Sequence, residues 1–119
     1  MKYFSFSVYN KEYIVNYRYI DMKKNQGLDS EVQEFLSALA SETRQNLLVS
    51  FTDGKEKTVG ELVEISGLGQ STISTHLNQL RKGGILLRRK LGKEVYYKPN
   101  REKILEHLSK LNGYLRGCC

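Results

Sequence analysis

The sequence predicts a mainly α-helical domain that carries one small β-hairpin. Between residues 30 and 115, apolar residues recur at helical spacing in several short segments. The period changes near residue 90, where two strand-like runs, 85–90 and 94–98, are joined around Leu91-Gly92. With 119 residues, 39% of them hydrophobic, the chain has room for one domain with a modest core.

Two capped helices are predicted at the start of this domain. Asp29 and Ser30 both offer N-caps, and Gln33 stands three residues after Ser30, as in a capping box. The apolar face of this first helix consists of Val32, Phe35, Leu36 and Leu39. Ser41 can cap a second helix, which Asp53-Gly54 ends. The inward-facing residues of the second helix are Leu47, Leu48 and Phe51.

A third and a fourth helix follow, with a tight turn between them. Thr58 and Glu61 match a capping box at the start of the third helix. Its apolar residues are Leu62, Val63 and Ile65. The turn is Gly67-Leu68-Gly69, and one side of the following helix consists of Ile73, Leu77 and Leu80. A short helix, a turn containing glycine and a second helix with a polar face form a helix-turn-helix arrangement.

The opposite side of the fourth helix is polar and contains no carboxylate. It consists of Ser71, Thr75, Asn78 and Lys82, flanked by Ser74 and Gln79. A surface helix that serves only solubility usually includes Glu and Asp beside its Lys. A helix that enters the major groove must be slim, free of negative charge and able to address base edges. The segment therefore predicts a DNA recognition helix.

The basic charge of the chain is concentrated directly after this helix. Of the net charge of +6, residues 81–103 hold nine basic and two acidic residues, whereas the remainder holds ten basic and eleven acidic ones. Gly83-Gly84 ends the helix, and the hairpin then places basic residues at or near its tip, namely Arg88, Arg89, Lys90 and Lys93. A charge run is usually a solvated face. Beside a recognition helix, it indicates phosphate contacts by the wing of a winged helix-turn-helix domain.

The two ends of the chain leave alternatives open. Asn100 can cap a last helix, in which apolar residues recur at steps of four, three and four, the spacing of a helix–helix seam, at Ile104, Leu108, Leu111 and Leu115. This seam could pack on the protein's own core or contact a second chain. Residues 1–28 form a Tyr-rich N-terminal extension to a DNA-binding and dimerisation domain at 29–119. The extension could pair as a strand, cover the core or extend the dimer.

Several motifs resemble the ArsR/SmtB family of winged-helix repressors. They occur in the expected order in residues 35–48, 61–62, 67–68, 70–77, 80–86 and 95–97. The resemblance, over about residues 30–115, implies a homodimer formed by the first and last helices that binds an inverted repeat in double-stranded DNA until an inducer releases it. It also implies that Gln70, Ser71, Ser74, Thr75 and His76 read DNA, beside Asn78 on the same helix, and that Arg88, Arg89 and Lys93 lie near phosphates.

Some of these residues also have a purely structural interpretation. Ser71 and Thr72 could only help to start the helix. His76 lies beside the apolar stripe and could be a partly buried helix residue. Arg44 could form a salt bridge or face a phosphate, and the sequence does not decide between the two.

The chain departs from the family pattern at the inducer sites. Thiolate-sensing members carry a Cys-x-Cys motif in the third helix, which has no cysteine here, and the last helix offers only His107 with Glu102 and Glu106, too few ligands for tight zinc binding. The remaining candidates are Cys118 and Cys119, which could bind arsenic(III) or another soft metal ion, or respond to oxidants. The alternative is a tail without a sensing role.

The sequence therefore predicts a dimeric, sequence-specific transcriptional repressor, with the cysteine pair as the candidate site of an inducer. The alternatives are a winged-helix protein-interaction module and a constitutive regulator without a metal inducer. An enzyme is not expected, because the chain has no Gly-rich phosphate loop and no nucleophile with a base at readable spacing. No apolar run approaches the ~20 residues of a membrane span, and no secretory signal is evident. We therefore expect a cytoplasmic protein without a membrane partner.

Overall fold

The computed structural model describes residues 27–118, which form five helices and three strands. In chain order these are α1 (Ser30–Leu39), α2 (Glu42–Val49), β1 (Lys57–Thr58), α3 (Val59–Ser66), α4 (Gln70–Lys82), β2 (Leu86–Leu91), β3 (Glu94–Pro99) and α5 (Arg101–Cys118). The Tyr-rich extension predicted for residues 1–28 lies, up to residue 26, outside the described residues, as does Cys119. None of the described helices is long and apolar enough to span a bilayer.

Side-chain caps fix where the helices begin. The carboxylate of Asp29 accepts a hydrogen bond from the backbone N–H of Val32 at 2.9 Å, so Asp29 is the N-cap of α1. The capping box predicted at Ser30 and Gln33 is therefore wrong, because Ser30 is already the first residue of the helix. The other predicted caps are present, at Ser41, at Thr58 with Glu61, and at Asn100.

One apolar core lies beneath α4 and fixes the orientation of that helix. Its three apolar residues, Ile73, Leu77 and Leu80, are fully buried, as their spacing predicts. Ile104 of α5 packs against the core from outside. The other buried residues of the core come from α1, α2, α3, the sheet and adjoining turns, namely Phe35, Ala38, Leu47, Phe51, Leu62, Ile85, Leu86 and Tyr97. Each such side chain contributes about 1.5–3 kcal/mol of burial free energy. The buried side of α4 therefore anchors the helix to the core, and its opposite side faces solvent.

Ile65, the third apolar residue named for this helix, is 58% exposed. In α3, Leu62 is fully buried and Val63 packs against the core, so these two residues define the buried sector. At 100° per residue, Ile65 lies about 160° from Val63 around the helix axis. It therefore falls outside that sector.

The strands form a three-stranded antiparallel sheet in the order β1-β3-β2. The pair β2–β3 is the predicted hairpin, which we call the wing. Its strands are joined by a two-residue loop whose Gly92 has a φ of +63°, a left-handed conformation that suits glycine. Strand β1 is an addition to the prediction. With only two residues, it is too short to show an alternating pattern.

Helix α5 leaves much of its apolar seam exposed. Leu108 and Leu115 are 45% and 49% exposed, while Ile104 and Leu111 are half-buried. The one fully buried residue of α5 is His107, whose ring centroid lies 4.9 Å from that of Phe35. An exposed apolar stripe of this kind is typical of an association surface. It favours contact with a second chain over packing on the protein's own core.

Candidate nucleic-acid interface

Helix α4 presents its predicted DNA-reading side chains to solvent. Gln70, Ser71, Ser74 and Thr75 are all exposed, and no acidic residue lies in the first turn of the helix. The Oγ1 atom of Thr75 donates to the carbonyl oxygen of Ser71 at 2.9 Å, so this hydroxyl can still accept a hydrogen bond. The last turn contains Arg81 and Lys82. The outer face of α4 is thus polar, narrow and free of negative charge.

Two further predicted contact residues of α4, His76 and Asn78, also make contacts within the protein. His76 is half-buried on one flank of the helix, with its Nδ1 3.4 Å from Nη1 of Arg44. Asn78 is half-buried and accepts a 2.6 Å hydrogen bond from Nη2 of Arg81 through its Oδ1. The amide nitrogen of Asn78 keeps its two donors for another partner. His76 fits the alternative of a partly buried helix residue.

Within the described residues Arg44 has no salt-bridge partner, and its half-buried guanidinium group forms hydrogen bonds inside the protein. Its Nε donates to the carbonyl oxygen of Ala38 at 2.7 Å, and its Nη2 donates to that of Ser37 at 3.1 Å. Its Nη1 donates to Oε1 of Gln79 and lies beside His76. The guanidinium group therefore connects the last turn of α1 to α4. Sequence reasoning missed this role, because no local pattern shows which oxygens a guanidinium group reaches.

The basic side chains of the wing are exposed but differ in position. Arg88 pairs with Tyr97 and Arg89 with Tyr96, so the two arginines project from opposite faces of the hairpin. Both lie along the strand, and Lys93 lies in the loop. The expectation that the arginines sit at or near the tip is therefore corrected. Two residues of β2 extend beyond Arg89 before the loop begins.

Arg89 is held in place by the segment before β1. Its Nε and Nη2 donate to the two carboxylate oxygens of Glu56 at 2.9 and 2.7 Å, and its guanidinium carbon lies 4.8 Å from the ring centroid of Tyr96. The hydrogen bond from Arg89 lowers the pKa of Glu56, and the same bond raises the pKa of Arg89. Within residues 27–118, neither Arg88 nor Lys93 has an ion-pair partner.

A metal site is not formed by the residues that the structure describes. They contain no group of three or more His, Cys, Asp or Glu side chains that could hold an ion. His107 is only 2% exposed, and a Cβ built on Gly84 would lie 3.0 Å from its Nε2, so His107 is a core residue rather than a surface ligand. Cys118 is exposed in the last turn of α5 and is disulfide-bonded, and the expected role of Cys119 falls on a residue outside the described range.

The chain is similar to known transcriptional regulators. Residues 41–86 match the family model described as a bacterial regulatory protein of the arsR family. The match runs from the cap of α2 to the first residue of β2, so it includes α4 and stops before the basic residues of the wing. The biofilm growth-associated repressor of Xylella fastidiosa is 33% identical over 91 residues, which cover 76% of each chain.

Solved structures share the fold. An ArsR-like transcriptional regulator from Rhodococcus sp. RHA1 superposes with a TM-score of 0.66 at 22% identity, over 74% of this chain and 82% of that chain. A homodimeric winged helix-turn-helix DNA-binding domain from Mycobacterium bovis gives a TM-score of 0.59 at 18% identity, over 97% and 93%. These likenesses confirm the predicted fold class, mainly helical with a winged helix-turn-helix. The relatives are transcriptional regulators rather than enzymes, as the sequence predicted.

Proposed function

This chain belongs to the arsR family of bacterial regulatory proteins, and we propose that it represses transcription by binding an inverted-repeat operator as a homodimer. The observation that carries the proposal is the outer face of α4, which is exposed, polar and free of carboxylates above a fully buried underside. Its target is chromosomal DNA, so we place the protein in the cytoplasm. No membrane partner is part of the proposal.

In the proposed complex, α4 lies in the major groove and the wing lies along the phosphates. Ser71, Ser74 and Thr75 offer hydroxyl groups to base edges, where a good contact discriminates by about 1–3 kcal/mol. Arg88 and Lys93 neutralise phosphates and make the affinity depend on salt, because neutralised phosphates release their counterions. Base reading and phosphate binding are thus assigned to different elements.

The proposed dimer contact is formed by α1 and α5. These helices share one surface, because Lys110 of α5 lies 3.2 Å from the carboxylate of Asp29 at the start of α1. The exposed leucines of α5 give that surface its apolar character. A two-fold axis through it repeats α4 in the partner, which suits two half-sites about 34–36 Å apart. Occupation of such a site within a promoter blocks transcription.

The recognition assignment is tested by adding negative charge to α4. Operators are first selected from a library of random duplexes, and binding is measured by fluorescence anisotropy. The double variant Ser74→Glu/Thr75→Glu should lose at least about 100-fold in affinity, because carboxylates at the bases meet acceptor atoms and nearby phosphates. Circular dichroism should show an intact fold.

The matched control, Asn46→Glu/Val49→Glu, adds the same charge at two exposed positions of α2, outside both α4 and the proposed dimer contact. It should retain most of the affinity. Equal binding by the parent and the α4 variant would remove the recognition assignment. A parent protein that selects no duplex would favour a protein-interaction module. A reporter gene behind the selected operator distinguishes repression from activation.

The proposal includes an inducer that acts at Cys118 and Cys119. Cys118 ends α5, the helix proposed to form the dimer contact, and Cys119 follows it in the sequence. Cys118 is disulfide-bonded in the structure, so the proposal concerns the protein after reduction, when two thiols suit arsenic(III), another soft metal ion or an oxidant. The test is operator binding titrated with arsenite, zinc, copper(I) and peroxide. Release of the parent but not of Cys118→Ser/Cys119→Ser is the expected result. Identical behaviour of the two proteins would make the chain a regulator that does not sense through these cysteines.

A further inference from the structure

Helix α1 and the end of α4 approach each other too closely at Gly83 to admit a Cβ atom. Gly83, which ends α4, is buried, and a Cβ built on it would lie 2.7 Å from Cβ of Ala38 and 3.0 Å from the carbonyl oxygen of Glu34. Its φ of −78° is open to any residue. Glycine is therefore required at this position by the close approach of the two helices and not by backbone conformation.

Arg44 closes the same contact from α2. Its Nε and Nη2 donate to carbonyl oxygens of Ala38 and Ser37, in the last turn of α1, where the regular bonds to residues four positions on are missing. Its Nη1 reaches Gln79 on α4. A planar guanidinium group makes such bonds in a fixed fork geometry, which a flexible ammonium group cannot reproduce. The contact between α1 and α4 is thus constrained sterically at Gly83 and by directional hydrogen bonds at Arg44.

We infer that this Arg44–Gly83 junction sets the angle between α1 and α4, and thereby the half-site spacing at which the dimer binds DNA. The inference rests on the proposed function, in which α1 belongs to the dimer contact and α4 reads the bases. A rotation of α4 against α1 moves both recognition helices of the dimer relative to their half-sites. Arg44 and Gly83 are positioning residues in this role, because they act through α4.

The competing role for Arg44 is direct phosphate binding. The contacts of the guanidinium group favour positioning, because three of its five N–H groups donate to oxygens of α1 and α4. Phosphate binding and positioning also differ in what they change. Loss of a phosphate contact lowers the salt slope of binding by about 0.9 and leaves the preferred spacing alone. Loss of positioning changes the preferred spacing and leaves the salt slope alone.

The experiment compares duplexes that carry the selected half-sites at the parent spacing and with one or two base pairs inserted or removed. Arg44→Gln and Gly83→Ala each alter the junction independently. Gly60→Ala is the control, because its Cβ would lie no closer than 3.9 Å to another group. The readout is the ratio of affinities for two spacings. Partial unfolding cannot change this ratio, because an unfolded fraction lowers the apparent affinity for both duplexes by the same factor.

We expect the parent and Gly60→Ala to prefer one spacing. In each junction variant, the ratio of the affinities for the preferred and the altered spacing should fall about tenfold, a typical coupling between two sites. The salt slope of Arg44→Gln should equal that of the parent. If the parent prefers a spacing and both junction variants keep it, the inference is overturned while the proposed function stands. A parent that binds no inverted repeat would overturn the proposed function, and this inference with it.

Discussion

Helix α4 and the wing were both predicted to contact DNA, but the structure leaves them unequally available. The outer face of α4 keeps Ser71 and Ser74 exposed, because its apolar residues all lie on the opposite side. The wing has lost part of its predicted charge, because Arg89 is bound by Glu56 through two hydrogen bonds. The predicted contact face of the helix is therefore fully available to a partner, whereas part of the predicted charge of the wing is already paired.

Helix α4 and the wing differ because the residues that determine their exposure and charge lie at different distances in the sequence. The exposed face of a helix follows from a period of 3.6 residues within the helix itself. The charge that a wing offers depends on partners from elsewhere in the chain, and Glu56 stands 33 residues before Arg89. A count of basic residues consequently overestimates the charge that is free to meet phosphates. The predictions below separate the two elements by specificity, by salt dependence and by acid stability.

The largest expected effect is a loss of sequence specificity when α4 loses its hydroxyl groups. Ser74→Ala/Thr75→Val removes polar atoms without adding charge. The affinity for the selected operator, relative to a random duplex, should fall about 10- to 100-fold, because each base contact discriminates by about 1–3 kcal/mol. The salt slope should stay at the parent value. A fall in affinity that is equal for both duplexes would contradict base reading by this face.

A smaller effect is expected in the wing, where the two arginines should differ. Arg88→Gln should lower the salt slope by about 0.9 and weaken binding to every duplex alike, because it removes a phosphate contact. Arg89→Gln should lower the slope by less, since Glu56 already neutralises part of that charge. The measurement is the dependence of affinity on salt concentration for each variant.

Glu56→Gln supplies the control for this comparison. It should raise the salt slope by freeing Arg89, and Glu56→Gln/Arg89→Gln should remove that gain. Equal slopes for Arg88→Gln and Arg89→Gln would show instead that the Glu56 pair opens on DNA. The charge count from the sequence would then describe the wing correctly.

The elements of the fold could be predicted where the information is local. The capping box of Thr58 and Glu61 and the apolar triad of α4 depend on residues three or four positions apart, and both are present. Strand β1 could not be predicted, because two residues become a strand only through pairing with Tyr96 and Tyr97. The choice of Asp29 over Ser30 as cap was also out of reach, since both side chains can accept the same bond.

The site was predictable to the same extent. Exposure of Ser71, Ser74 and Thr75 follows from the helical period. The role of Arg44 does not, because its acceptors lie on α1 and α4 and are defined only after the three helices pack. Burial of His107 was likewise hidden, since its neighbours Phe35 and Gly84 come from distant parts of the chain. Contacts between elements thus decide which predicted ligands are in fact structural.

The smallest expected effect concerns acid stability and sharpens the view of the wing as partly neutralised. The pKa of Glu56 is lowered by its hydrogen bond to Arg89. A carboxyl group with a lowered pKa stabilises the folded state above its usual value of 4.5, and this contribution is lost as the pH falls through the lowered pKa. In urea titrations, the free energy of unfolding of the parent should therefore slightly exceed that of Glu56→Gln near pH 7, and the gap should close as the pH falls through the lowered pKa. Asp29 and Asp53 also have lowered pKa values, but they are present in both proteins and cancel in the difference.

Added salt at neutral pH should narrow the same gap in the free energy of unfolding, because the pair of Glu56 and Arg89 is exposed. A gap that is independent of pH and salt would mean that Glu56 acts through packing, and the salt-slope difference between Arg88 and Arg89 should then vanish as well.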